Sequence, residues 1–422
     1  EAQAPETKKP GLLRSATVYG TANVLERIIP VVLLPVLTYY LTAADAGMIA
    51  VFQAVAGMAA PLVGVNVSYS VRRRYFDEDR SRFPSYLAGC LWIIAGCTVI
   101  GLAFAVAGGR PLSRLSGLPT IWLAAAVIFA GFQELLAVPL TVWQVEHAAR
   151  NYAFVQVGRA AGIAALTVLF VVAFGAGWRG FALATLIVTG SVAVSVAAAA
   201  LLPRLNRHVT RASLFHALWY GASLIPHRLG ALGARTADRF VIAYYVGPSE
   251  TGLYWVAFQV GMAISVIADA FSRAWSPWLY AGLAERKSAT DRRIVTMTYL
   301  YFAAIVGLGL LLALAAPAGI RLVLAPEFHD AGRFMGWLVA GFVFNAMYLG
   351  LSGIVFFAER TFLISWVTVV TTAIGIGLSL VLVPRVGAIG AAQASAIGLL
   401  LKFLLTWGLA QWARPLPWRL RA

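Results

Sequence analysis

The sequence predicts an all-α polytopic membrane protein of about twelve transmembrane helices, in two six-helix lobes related by a parallel repeat around a central cationic cavity. Three observations predict it. The 422 residues are 60% apolar and 12% charged, with a mean hydropathy of +0.80. The apolar residues fall in runs of about 20, the length that crosses a hydrocarbon core. Basic residues collect in alternate loops, and a set of residues recurs at a nearly constant offset in the second half of the chain.

In order, the spans are expected at roughly 15–41, 46–70, 85–107, 121–142, 152–174, 181–202, 214–245, 252–271, 294–316, 334–357, 362–383 and 389–412. Residues 1–14 read as a cytoplasmic tail, 15–205 as the N-terminal lobe, 206–413 as the C-terminal lobe and 414–422 as a second tail. No secretory leader pattern is read ahead of the first span. Pro30 and Pro35 interrupt the first span, and Gly221, Pro226, Gly230 and Gly233 interrupt the seventh. Interrupted helices at matching positions of two halves point to a binding site. Cys90 and Cys97 share the third span and read as packing residues, because a metal needs more ligands. Trp275, Trp278 and Tyr280, like Trp407, Trp412 and Trp418, read as interfacial aromatic belts.

Charge gives the orientation. Lys and Arg number 33 against 17 Asp and Glu, a net charge of +16. In a soluble chain that balance would suggest nucleic acid. Here 21 basic residues lie in loops on the N-terminal side and only 6 in the opposite loops, which places both termini in the cytoplasm. Arg72-Arg73-Arg74 reads as a positive-inside stop signal, with a landing site for anionic lipid headgroups as the minority alternative.

The repeat is read from spacing. Tyr39-Tyr40 and Gly47 recur 205 residues later as Tyr244-Tyr245 and Gly252, with Phe52-Gln53 recurring one residue late as Phe258-Gln259. Arg150 and Gly180 recur 210 residues later as Arg360 and Gly390. Glu26-Arg27 and His227-Arg228 each follow a Tyr-Gly pair, Tyr19-Gly20 and Tyr220-Gly221, at the same distance. Six helices per half is an even number, so both halves insert with the same orientation, as in transporters whose site lies between parallel repeats.

Six basic residues remain within the spans, namely Arg27, Arg159, Arg228, Arg235, Arg239 and Lys402, against Glu26, Glu134 and Asp238. A charge at membrane depth is costly and marks a functional site by default, although salt-bridged or snorkelling structural roles compete for every one of them. Arg228, Arg235 and Arg239 fall within about a 40° stripe of one helical face, running about 16 Å along the helix. Such a cationic interior suits an anion, and the planar donor fork of arginine matches phosphate oxygens. Candidate substrate-binding residues are therefore Arg27, Arg228, Arg235, Arg239, Arg159 and Lys402. Candidate proton-coupling residues are Glu26, Glu134, Asp238 and His227. The five histidines are dispersed and no lysine follows a glycine, so no metal site, no phosphate-binding Gly-Lys-Ser/Thr loop and no cofactor is expected.

Asp238-Arg239-Phe240, then Tyr244-Tyr245-Val246-Gly247 and Thr251-Gly252-Leu253-Tyr254-Trp255-Val256-Ala257, resembles the polysaccharide flippase branch of the multidrug, oligosaccharidyl-lipid and polysaccharide exporter superfamily. Tyr69 to Glu78, just after the second helix, resembles the same branch. The resemblance covers the whole chain in topology, through short motifs, and carries over residue by residue only at Asp238 and Arg239. It implies a V-shaped flippase, not an enzyme, moving a polyprenyl-diphosphate-linked oligosaccharide repeat unit from the cytoplasmic to the outer leaflet of a bacterial inner membrane by alternating access. The expected partners are that lipid-linked oligosaccharide, the membrane lipids and a polysaccharide polymerase complex, with a monomeric chain. A multidrug or cation antiporter of the same superfamily is the alternative, and would want unpaired carboxylates. A membrane polymerase or ligase is the other, and would want a large outward loop, whereas no outward loop here exceeds about 18 residues by this span assignment.

Overall fold

The computed structural model describes residues 12–77, 82–205, 209–285 and 287–418. These form sixteen α-helices: α1 (Leu12–Thr38), α2 (Ala43–Val63), α3 (Val67–Arg74), α4 (Phe83–Ala107), α5 (Gly109–Ser116), α6 (Thr120–Val145), α7 (Ala149–Val168), α8 (Gly177–Ala200), α9 (Arg211–Ala222), α10 (Ile225–Tyr245), α11 (Pro248–Gly261), α12 (Ala263–Glu285), α13 (Ser288–Val323), α14 (Met335–Phe357), α15 (Thr361–Val386) and α16 (Ile389–Ala413). Eleven stretches among the described residues are long and apolar enough to cross a membrane. The chain is a multi-pass membrane protein.

The span missing from that set is the expected seventh, and its absence has a physical cause. The stretch is split at Ser223–Leu224 into α9 and α10. Pro226 has no N–H to give to the turn before it, so the helix stops and restarts. α10 then carries Arg228, Arg235, Asp238 and Arg239 within 21 residues. The expected second span, 46–70, is also two helices. α2 ends at Val63, and Val65 (φ 43°) and Asn66 (φ 50°) are both left-handed before α3 begins. Asparagine tolerates that conformation, whereas a β-branched valine is strained in it. The expected eighth span is exceeded as well: α11 and α12 together run from Pro248 to Glu285.

Contacts group the chain into two units, Glu1–Leu41 with Val51–Leu229, and Thr42–Ala50 with Gly230–Ala422. The expected lobes, 15–205 and 206–413, divide the chain differently, because α9 packs on α3 and α4. In the first unit α6 is central, touching α3, α4 and α8, and half of its apolar window is buried (50%) against 22% for α4. In the second unit α14 holds the same place among α12, α13 and α16, and the stretch containing it is 67% buried against 17% for α15.

The repeated glycines sit where backbones meet. Within the second unit, a Cβ on Gly47 would lie 1.9 Å from the Pro248 carbonyl oxygen, and one on Gly252 would lie 1.9 Å from the Ala43 carbonyl oxygen. The contact is reciprocal between equivalent residues of the repeat. Gly180 backs onto Phe170, and Gly390 backs onto Leu382 in the corresponding turn of the second unit. Close backbone approach through small residues is what helix packing in lipid favours, since apolar side chains gain nothing by leaving lipid tails.

Candidate functional site

The two helix breaks of the first unit meet. Gly221 of α9 lies against the α2–α3 junction so tightly that a Cβ there would be 1.8 Å from the Val65 carbonyl oxygen. Asn66, fully buried in that junction, donates from Nδ2 to the Gly221 carbonyl (3.2 Å), which also accepts from the Leu224 N–H (3.1 Å) where the helix is interrupted. Its Oδ1 accepts from Nη1 of Arg228, one turn into α10 (3.0 Å). The guanidinium also lies over the Tyr69 ring at 5.7 Å and stands 3.7 Å from Oε1 of Glu134.

Glu134 comes from the middle of α6 and is 5% exposed. Its Oε2 is buried with no hydrogen-bond partner among the described residues. A Cβ on Gly64 would fall 2.4 Å from Glu134 Cγ and from Oε2, so the carboxylate occupies space that only a glycine leaves. Around this pair lies a cavity of about 180 Å³ lined by Ser68, Tyr69, Arg72, Glu134, Ala137 and Arg228. Two guanidinium groups and one carboxylate therefore share one polar recess, a net-positive arrangement suited to an anion.

The other intramembrane charges are distributed differently. Glu26 of α1 is held by Arg159 of α7 in a direct ion pair and by Gln156 Nε2 (2.7 Å). Beside it Tyr152 donates to Asn23 Oδ1 (3.0 Å) and Tyr19 donates to the Trp143 carbonyl (3.2 Å), so α1, α6 and α7 are tied together. In the second unit, Asp238 accepts from the Tyr254 hydroxyl (2.7 Å), Arg239 is buried with its guanidinium 5.0 Å from the Phe258 ring, and Arg235 is exposed. Lys402 places its ammonium 3.7 Å from the centre of the Tyr348 ring, a cation–π contact. The three arginines expected to form one stripe thus have three environments. The side chains of Arg27 and His227, both candidates by sequence, lie outside the described residues.

The arginine triplet is divided. Arg72 lines the cavity and donates to Gln144 Oε1 (2.6 Å), whereas Arg73 and Arg74 both bond Asp77 at 2.5 Å. Desolvation acts upward on Asp77, but the hydrogen bonds and charges of Arg73 and Arg74 hold its carboxyl below the usual 3.8. Sequence reasoning missed Arg72, Tyr69 and Asn66 as cavity residues. One signal was available for Asn66, an amide near the end of the expected second span with a glycine two residues earlier.

Residues 12–282 match the family model described as polysaccharide biosynthesis protein. A curated relative, an "uncharacterized membrane protein" of Haemophilus influenzae, is 22% identical over 285 residues, 65% of this chain and 66% of the relative. The chain thus spans just under two thirds of that relative's length. Among solved structures, the lipid II flippase MurJ in an inward closed conformation superposes with a TM-score of 0.72 at 14% identity, covering 93% of this chain and 87% of that one. An inward-facing multidrug resistance MATE family transporter of the MOP superfamily gives 0.67 at 17% identity, covering 94% of each chain. At these identities the likeness is one of fold.

Proposed function

Since the chain belongs to the polysaccharide biosynthesis protein family, we propose that it is a flippase for a polyprenyl-diphosphate-linked oligosaccharide repeat unit. It moves this lipid from the cytoplasmic to the outer leaflet of a bacterial inner membrane, with both termini in the cytoplasm. The carrying observation is the recess in the first unit, where Arg228 and Arg72 converge on one cavity with Tyr69. A diphosphate leaving water for the membrane interior loses its hydration and needs charged donors in exchange. Arginine forks supply them, at about 1.5–3 kcal/mol per charge-assisted bond. Arg159 is committed to Glu26, so it serves this reading as support for the helices rather than as a ligand.

The test is reconstitution. The purified chain in proteoliposomes moves a fluorescent polyprenyl-diphosphate-linked sugar across the bilayer, and Arg228→Ala slows this at least about tenfold, the loss expected for one such contact. Arg228→Lys recovers part of the rate, because it keeps the charge without the fork. Normal rates in Arg228→Ala reject the recess as the site. Proton-driven export of a cationic dye, with no movement of the lipid-linked sugar, replaces the flippase with the antiporter.

A further inference from the structure

Glu134 has one oxygen facing Arg228 and a second, Oε2, that is buried, unpartnered and pressed against Gly64. An acidic oxygen left bare at this depth costs free energy unless something binds it. A metal ion needs several oxygen ligands around it, and the side-chain oxygen of Asn66, which shares the Arg228 guanidinium with Glu134, already accepts from it. A proton bonds the oxygen itself and removes the charge, the larger part of that cost. The charged groups that face Glu134 in the recess are Arg228 from α10 and Arg72 from α3, with the Tyr69 hydroxyl as the other titratable group. α4 packs on α6 and has no charged residue, Arg159 of α7 is engaged by Glu26, and the arginines of α5 and α8 (Arg110, Arg114 and Arg179) belong to the end of the unit where α6 begins, beside Trp122 and Trp178, about three turns from Glu134. The state of the Glu134 carboxylate therefore depends mainly on where the Arg228 guanidinium points.

We propose that Arg228 exchanges partners, between Glu134 with Asn66 and the anionic headgroup of the substrate, and that Glu134 binds one proton each time Arg228 moves to the headgroup. In the empty recess the guanidinium bonds Asn66 and offsets the Glu134 charge across 3.7 Å. An anion in the recess draws the guanidinium onto itself. Glu134, deprived of its countercharge in a buried place, then takes a proton from hydronium on the side to which the recess opens: one O–H bond of the hydronium breaks, one forms on the carboxylate, and water and a neutral acid are left. When the headgroup leaves, Arg228 returns and the proton is released. Loading of a diphosphate is thereby linked to uptake of one proton at a single residue, and by reciprocity acidification of the loading side favours loading. The inference rests on the flippase reading for the identity of the anion, and adds to it the coupling residue and the partner exchange.

The experiment is calorimetric titration of the full-length, detergent-solubilised chain with geranyl-diphosphate-linked monosaccharide, a diphosphate diester whose own phosphates do not titrate near neutrality. Repeating it in buffers of different ionisation enthalpy counts the protons exchanged. The wild type takes up about one proton per headgroup bound, and its affinity weakens by up to about tenfold per pH unit as pH rises. Glu134→Gln, which keeps the shape, takes up none, has a flat pH profile and binds more tightly than wild type at alkaline pH, because Arg228 no longer has a carboxylate to leave. Binding by wild type without proton uptake, or uptake that persists in Glu134→Gln, overturns the exchange while leaving the flippase reading intact. A pH dependence that appears only with sodium present overturns it in favour of a metal cation. Failure of the wild type to bind the diester at any pH overturns both.

Discussion

Glu26 with Arg159 and Glu134 with Arg228 are the same two residue types in the same unit, each joining helices far apart in the chain. The first pair is closed at its carboxylate: one oxygen touches the guanidinium directly and Gln156 bonds the other, although Arg159 Nε is buried without a partner among the described residues. The second is open: the charges stand 3.7 Å apart, one oxygen has no partner, and a cavity adjoins both groups. Desolvating two charges is offset better the more completely the carboxylate is bonded, so the closed pair can serve as a clamp. The open pair retains binding capacity, and that capacity is what a ligand or a proton can use. Composition at membrane depth therefore marks a site without saying whether it is a fastener or a receptor; whether both carboxylate oxygens are bonded, and whether a cavity adjoins them, separates the two.

The comparison breaks most sharply under crossed substitutions. Arg228→Ala is expected to cut transport at least about tenfold and to lower the unfolding temperature by an amount that adding Glu134→Gln recovers, because it leaves the buried Glu134 carboxylate without its countercharge. Arg159→Ala leaves Glu26 in a partly buried place with half its partners and is expected to destabilise by about 1–3 kcal/mol, with transport per folded molecule nearly preserved. Equal effects of the two on both readouts would erase the distinction. A smaller effect sharpens it: Gly64→Ala drives a methyl group against Glu134, costing about 1–3 kcal/mol. Adding Glu134→Ala should recover most of that loss, a coupling visible in a double-mutant cycle of unfolding temperatures. The smallest is a control outside the membrane centre. Arg333 and Glu250 form an ion pair with substantially exposed side chains, and Arg333→Ala should change stability by less than about 1 kcal/mol.

Much of the architecture was legible because it is written in periodic quantities: apolar runs, loop charges and the 205-residue and 210-residue offsets. The Gly47 and Gly252 recurrence proved to be a reciprocal backbone contact. The interruption of the seventh span was legible from Pro226, whereas the break in the second was not. Nothing in a Gly64-Val65-Asn66 run announces two consecutive left-handed residues, since valine opposes that conformation. The partner of Glu26 was illegible for a different reason. Neighbours in a helical sequence are turned about 100° from one another, so adjacency is no guide to pairing, whereas Arg159, 133 residues on, is brought close by the packing of α1 on α7.

The bond from Asn66 to the Gly221 carbonyl spans 155 residues, and that span has a consequence for how the protein is made. Tyr86 likewise waits for His216, its partner at 3.0 Å. A ribosome delivering this chain into the membrane completes six spans before it supplies α9, so the first unit cannot close its own recess until the seventh has emerged. Until then the amide of Asn66 must be held by lipid-exposed chain, water or an insertion factor. A gene cut after residue 205 would release a unit missing one wall, whereas a cut after residue 229 would carry that wall with it. The order of synthesis thus makes the first unit depend on a helix whose continuation, α10, belongs mostly to the second.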